Sequence, residues 1–147
     1  MMAQARTSRR DILRLGVAAA AAVCGGCGIL GSRKADVTAK PRQGVIRLTR
    51  AQSAALLASE GSILVKPKGV HGKIMVVHLT DHALYAVSAI CTHMGCTVNY
   101  NKDAGRIDCP CHGSQYALDG SVTHGPAKRS LKRYNVTIEN GQVLISV

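Results

Sequence analysis

Cys91-Thr92-His93-Met94-Gly95-Cys96 and Cys109-Pro110-Cys111-His112-Gly113-Ser114 are two six-residue stretches separated by twelve residues, Thr97 to Asp108. Each offers one thiolate and one imidazole within a few residues of each other, so the pair reads as a two-loop pincer. A disulfide framework alone does not account for His93 and His112 at such tight spacing from cysteine, and a metal site is the first reading. Gly95 and Gly113 permit a tight backbone path in each stretch.

On either side of these stretches the chain reads as short strands. Val45 to Leu48, Ile63 to Lys66, Lys73 to Leu79 and Ala83 to Ser88 are rich in β-branched residues and bounded by Pro67, Gly69, Gly72 and Asp81. Thr49 with Gln52 three residues later resembles a capping box, opening a short helix through Ser59 that Gly61 would end. Asn135 to Glu139 and Gln142 to Val147 flank Asn140-Gly141, a strong tight-hairpin signal. Another turn is expected at Asp119-Gly120. The pattern predicts an all-β fold, a small antiparallel sandwich or barrel, over residues 44–147. There is no internal repeat and no nucleotide-binding glycine loop.

Composition narrows the function classes. The 147 residues carry 19 Lys plus Arg against 8 Asp plus Glu, a formal charge of +11. Residues 1–32 hold Arg6, Arg9, Arg10 and Arg14 against Asp11, a net of +3, which leaves +8 for residues 33–147. With four Tyr, no Trp and no Phe, the stacking surface of a single-strand nucleic-acid binder is hard to build. The excess charge suits an acidic protein, an anionic membrane or a plain solvated face.

Ser8-Arg9-Arg10-Asp11-Ile12-Leu13 precedes an Ala/Gly-rich apolar run from Leu15 to Gly31. An arginine pair ahead of an apolar stretch resembles a twin-arginine export signal, although Ile12 stands where that pattern more often has Phe. Residues 1–31 are therefore expected to be a signal or membrane anchor, and 32–43 a polar linker. The run is 17 residues, at the bottom of the range for a spanning helix. Three fates stay open: an uncleaved anchor, cleavage after a small residue, or lipidation at Cys24 or Cys27. The expected location is the periplasmic face of a bacterial cytoplasmic membrane.

The two stretches resemble the Rieske family pattern C-x-H-x-G-C followed by C-x-C-H-G-S, most closely in the Rieske subunits of quinol-oxidising cytochrome bc complexes. The resemblance is good over residues 83–147 and general over 44–82. It implies one 2Fe-2S cluster, with Cys91 and Cys109 on one iron and His93 and His112 on the other. Cys96 and Cys111 then remain, one per loop, and in an exported protein they are expected to join as a disulfide that clamps the loops. Ser114 would donate a hydrogen bond to a bridging sulfide, Tyr116 would donate one to the Cys109 thiolate, and Gly125-Pro126-Ala127 would be the loop covering the cluster's third side. Donors to sulfur stabilise the reduced state and raise the potential. The other histidines carry no site role: His71, His78 and His82 fit turns or strand surfaces, and His124 precedes the proline loop.

What the resemblance implies for function is single-electron transfer from quinol to a cytochrome. Partners would be cytochrome b-type and cytochrome c-type proteins, quinol and the membrane, and no nucleic acid. Quinol–cytochrome c reductase activity would exist only within a complex. Two ferric ions, two sulfides and two thiolates sum to zero charge, so reduction leaves one negative charge and strengthens the hold of ligand imidazoles on protons. That suits a donor that gives up protons and electrons together. An electron-transfer subunit of an exported metal-dependent oxidase, similar to arsenite oxidase, is the nearest rival. A soluble oxygenase ferredoxin is opposed by the export signal, the spare cysteines and the donors to sulfur. A structural zinc module would leave Cys96, Cys111, Ser114, Tyr116 and the Gly-Pro-Ala loop unexplained.

Overall fold

Residues 35–80 and 83–147 are described by the computed structural model. The expected leader, the first residues of the expected linker and His82 lie outside the described residues. In chain order the elements are β1 (Ala35–Ala39), β2 (Val45–Arg47), α1 (Arg50–Leu57), β3 (Gly61–Pro67), β4 (Ile74–His78), β5 (Leu84–Ser88), β6 (Asn99–Asn101), β7 (Arg106–Asp108), β8 (Gln115–Tyr116), β9 (Val122–His124), β10 (Arg133–Tyr134), β11 (Val136–Glu139) and β12 (Gln142–Ser146). They form three sheets, ordered β1-β3-β4-β5-β10, β11-β12-β2 and β6-β7-β8-β9.

β4 organises the packing. All five of its residues, Ile-Met-Val-Val-His, are buried, as expected of a strand covered on both faces. Because side chains alternate along a strand, the sheet feeds two cores. Met75 and Val77 join Leu64, Val87, Val98, Ile107 and Tyr116 on one face. Ile74 and Val76 join Ile63, Val65, Leu56, Val143 and Ile145 on the other. The second core is closed by β2, β12 and α1. The first is closed by the sheet that carries the two Cys/His loops. The middle sheet is thus a shared wall between a structural layer and the site.

The expected sandwich or barrel needs refining. The pairing is antiparallel throughout except between β1 and β3, which run parallel, and no sheet closes on itself. β1 falls where a linker was expected. Its Asp36 and Thr38 face solvent while Val37 is buried in the second core. The strand alternates Ala35, Val37 and Ala39 with Asp36 and Thr38, so a period of two is present, but two alanines and one valine are too slight an apolar signal to stand out from a polar linker. His78 is also displaced from its expected strand surface: it is 3% exposed, with Nδ1 3.2 Å from the Ser59 carbonyl oxygen. A residue on a strand covered on both sides has no surface to occupy.

Local chemistry sets the remaining boundaries. The Thr49 hydroxyl accepts the Gln52 N–H at 3.2 Å and the Gln52 side chain accepts the Thr49 N–H at 2.9 Å, completing the capping box. The helix ends at Leu57, with Ala58 as its cap. Asn140 and Gly141 both take positive φ, 49° and 72°, the geometry of a tight turn between paired strands. Gly120 also takes positive φ, +90°, and there a Cβ would lie 2.9 Å from the Leu131 carbonyl oxygen, whereas at Gly141 it would meet nothing within 4 Å.

The two glycines should therefore respond differently. Gly141→Ala is expected to cost about 1 kcal/mol, from backbone strain alone. Gly120→Ala is expected to cost about 3 kcal/mol, because overpacking against backbone adds to that strain. Urea unfolding of the two variants beside the parent measures the difference.

Candidate metal centre

The two loops are built on one backbone plan. In the first, the Cys91 N–H donates to the Cys96 carbonyl at 2.8 Å and the Gly95 N–H to the Cys91 carbonyl at 2.9 Å. In the second, the Cys109 N–H donates to the Ser114 carbonyl at 2.8 Å and the Gly113 N–H to the Cys109 carbonyl at 3.1 Å. Each loop is thus a six-residue knuckle closed by its first and last residues. The fifth is a glycine at positive φ, 77° for Gly95 and 75° for Gly113, where other residues are strained. The first knuckle stands between the bridge pair Ile90 and Thr97, and the second joins β7 to β8.

This plan buries the first residue of each knuckle and exposes its tip. Cys91 and Cys109 are free thiols, each 3% exposed. His93 and His112 are exposed, their ring centroids 4.8 Å apart and the planes nearly perpendicular. Cys96 and Cys111 are joined in a disulfide that ties one knuckle to the other. The Cys109 sulfur lies within 4.8 Å of both sulfurs of that bond. Since those two are consumed in the disulfide, the free donors facing one another across the knuckles are two thiols and two imidazoles.

Polar partners converge on one thiol. Tyr116, fully buried, places its hydroxyl 3.2 Å from the Cys91 sulfur. This corrects the expectation that Tyr116 serves Cys109. Tyr116 pairs with Ile107 on the strand that leads into Cys109, so its side chain leaves its own hairpin and reaches the opposite knuckle. Its oxygen accepts the Thr92 N–H at 3.3 Å and lies 3.2 Å from Thr92 Oγ1. Thr92 gives its own hydroxyl proton to the Arg129 carbonyl at 2.6 Å. The Tyr116 proton is therefore shared between the Cys91 sulfur and Thr92 Oγ1.

Ser114, also fully buried, accepts the Ala127 N–H at 3.0 Å and so anchors the Gly125-Pro126-Ala127 loop. Its side chain is also among the groups that lower the Cys91 thiol, the smallest of them. Burial acts to raise the Cys91 thiol, but hydrogen bonds from Tyr116, the His93 backbone, Cys109 and Ser114 outweigh it and hold the thiol below its ordinary value. Cys109 is pushed up by burial, and further by its neighbour Cys91. Burial and the bond to Cys91 likewise raise the Tyr116 hydroxyl, so its proton stays available to sulfur.

Cys91, His93, Cys96, Cys109, Cys111, His112, Ser114, Tyr116 and Ala127 are therefore brought to this place, while Cys24 and Cys27 lie outside the described residues. Three contacts were not legible in the sequence: Thr92 to Tyr116, Thr92 to Arg129, and Ser114 to Ala127. The only sign was a hydroxyl residue between two candidate ligands, and it named no partner.

Comparison with known proteins places this geometry. A family model described as the Rieske [2Fe-2S] domain matches residues 51–135. The cytochrome b6-f complex iron-sulfur subunit of Chlorobaculum tepidum is 47% identical over 75 residues, covering 51% of this chain and 41% of that protein. Its namesake from Synechococcus sp. (strain WH7803) is 52% identical over 62 residues, covering 42% of this chain and 35% of that protein. The chain thus matches well under half the length of these relatives. The crystal structure of the plasma membrane Rieske protein PetC3 from Synechocystis PCC 6803 superposes with a TM-score of 0.54 at 34% identity, covering 59% of this chain and 87% of that one.

The disulfide closes a segment with a sequence separation of 15. Cys111→Ser is expected to cost about 3 kcal/mol, seen as a lower urea midpoint. A strong reductant should move the parent protein by a similar amount and leave the variant where it is.

Proposed function

Since the chain belongs to the Rieske [2Fe-2S] domain family, an electron-transfer domain that binds one 2Fe-2S cluster, we propose that Cys91, His93, Cys109 and His112 hold that cluster. We further propose that the protein takes electrons from quinol and passes them to a cytochrome, as a subunit of a cytochrome bc-type complex. When bound, the cluster supplies a one-electron acceptor and donor.

The residues fit such a group. Each knuckle offers one buried thiol and one exposed imidazole, and the disulfide between them holds the two halves of the donor set together. The observation that carries the quinol reading is the hydroxyl of Tyr116, fully buried and 3.2 Å from the Cys91 sulfur, with the buried Ser114 side chain acting on the same thiol in the same direction. Such bonds favour the more negative, reduced state and raise the potential. A high potential is what an acceptor of quinol electrons needs.

The protein's own residues then divide the work. Cys91 and Cys109 lie out of water. His93 and His112 stand at the tip, beside exposed Met94, Pro110 and Pro126, where an apolar ring with a polar edge can approach them. An imidazole nitrogen there can hold a proton taken from such a ligand. The arginine pair at Arg9 and Arg10 supports export, which would place the site on the periplasmic face of the membrane. The names of the cytochrome b6-f relatives support the same complex.

Redox titration of the loaded protein, followed by electron paramagnetic resonance across pH, tests this reading. The expected midpoint lies toward the upper part of the Rieske range of about −150 to +300 mV and falls as pH rises past neutrality. A potential near the bottom of the range and flat through neutral pH would remove the quinol role. Tyr116→Phe is expected to lower the midpoint by on the order of 40 mV, the equivalent of one hydrogen bond of about 1 kcal/mol in a one-electron couple.

A further inference from the structure

Four of the six residues from Lys128 to Arg133 are cations, Lys128, Arg129, Lys132 and Arg133, and no acid occurs between Asp119 and Glu139. All four are exposed, while Leu131 between them is buried and pins the segment to the first core. Arg133 lies 3.8 Å from Asp119, and the Lys132 ammonium sits 4.7 Å from the Tyr134 ring centroid. Lys128 and Arg129 have no acidic partner among the described residues. An unneutralised run of this kind projects a positive field into solvent.

Its position gives the field a use. The Arg129 carbonyl accepts the Thr92 hydroxyl proton at 2.6 Å, so the segment is bonded to the first knuckle between Cys91 and His93. Together they wall an open hollow of about 550 Å³, lined by Cys91 to Gly95 on one side and by Arg129, Ser130 and Lys132 on the other. Met94, 68% exposed, stands at its edge. An apolar contact beside a charged rim is the make-up of a small, transient protein interface.

We propose that Lys128–Arg133 and this hollow are the docking surface for the acidic face of the cytochrome that takes the electron away. The inference rests on the electron-transfer reading above and adds the partner's chemistry and the side from which it comes. Complementary charge speeds encounter and sets orientation more than it adds affinity, which suits a carrier that must also leave. Docking here sets the partner against Cys91, whose loop lines the hollow, and electron tunnelling falls steeply with distance. A lipid surface fits less well. Membrane-binding segments pair their cations with exposed apolar anchors, and Leu131, the apolar residue within this run, is 2% exposed.

The test uses the full chain with its cluster, reduced and mixed in stopped flow with a soluble c-type cytochrome of net negative charge. Lys128→Gln with Arg129→Gln is expected to lower the second-order rate constant about tenfold at low salt and to flatten its salt dependence. The Arg129 carbonyl that holds Thr92 survives this change, so the paramagnetic spectrum should not move, which reports that the site is intact. The two lost charges can only lower the midpoint, which raises the driving force for transfer and so cannot itself slow the rate. The same loss of two charges on the β2 side, Lys40→Gln with Arg47→Gln, should leave the rate within twofold.

Equal effects from both pairs would show that only total charge matters and would overturn the proposal. An unchanged rate would overturn it too, and so would an unchanged rate combined with lost binding to phosphatidylglycerol vesicles, which would give the segment to the membrane. Failure of the quinol reading is distinguishable. A low, pH-flat potential together with patch-dependent transfer to the acidic cytochrome would remove quinol as donor and leave the docking surface standing.

Discussion

Two hydroxyl groups fixed in the core, those of Tyr116 and Ser114, connect every moving part of the site. Tyr116 rises from β8, beyond the second knuckle, and touches the sulfur of Cys91 on the first. Ser114 closes the second knuckle through its carbonyl and holds the proline loop through its hydroxyl oxygen, and its side chain helps lower the same thiol. Neither has a solvent alternative, since both are fully buried, and a buried hydroxyl left without a partner costs about 1–3 kcal/mol. The three chain segments are therefore held in register by the need to satisfy these groups as well as by the disulfide. A displacement of either knuckle would break several bonds together.

That requirement explains why so much of the fold lies behind the site. β4 is covered on both faces, and its alternating side chains lock the sheet that carries the two knuckles to the layer formed by β2, β11, β12 and α1. A knuckle of six residues with two internal bonds has little stability of its own. The core residues Val98, Ile107 and Leu131, which lie beside the knuckles and the proline loop, anchor them to the shared wall. The positioning of a few exposed atoms depends on burial reaching through two cores.

Sequence and structure agree best where the signal is local. Thr49 with Gln52 marks a cap because the bond spans three residues, and Asn140-Gly141 marks a turn because two successive positive φ values suit few other pairs. The two knuckles are legible for the same reason: the spacing of Cys, His and Gly is the geometry of the loop itself. What could not be read is selected by packing between distant segments. Tyr116 lies 25 residues from Cys91, and Thr92 lies 37 from the carbonyl it serves. The resemblance implies that Tyr116 donates to a thiolate but gives the wrong one, Cys109 in place of Cys91, because the choice depends on which way a two-residue strand turns its side chain. β1 does not stand out in the sequence because its apolar side is one valine and two alanines, with Val37 buried and Ala39 only partly so.

The two knuckles share a backbone yet place their side chains one step out of phase, and the difference has chemical consequences. The first position of each is a buried thiol. The imidazole stands third in one and fourth in the other, and the disulfide joins the sixth position of the first knuckle to the third of the second. A symmetric pair would have offered matching sulfurs and rings on both sides. This pair puts the Tyr116 hydroxyl on Cys91 and leaves Cys109 beside the disulfide; the first thiol is lowered by its hydrogen bonds, while burial and the neighbouring Cys91 raise the second. Thr92, next to Cys91, bonds that knuckle to the basic segment, so the thiol with the Tyr116 donor and the proposed docking segment are joined through adjacent residues.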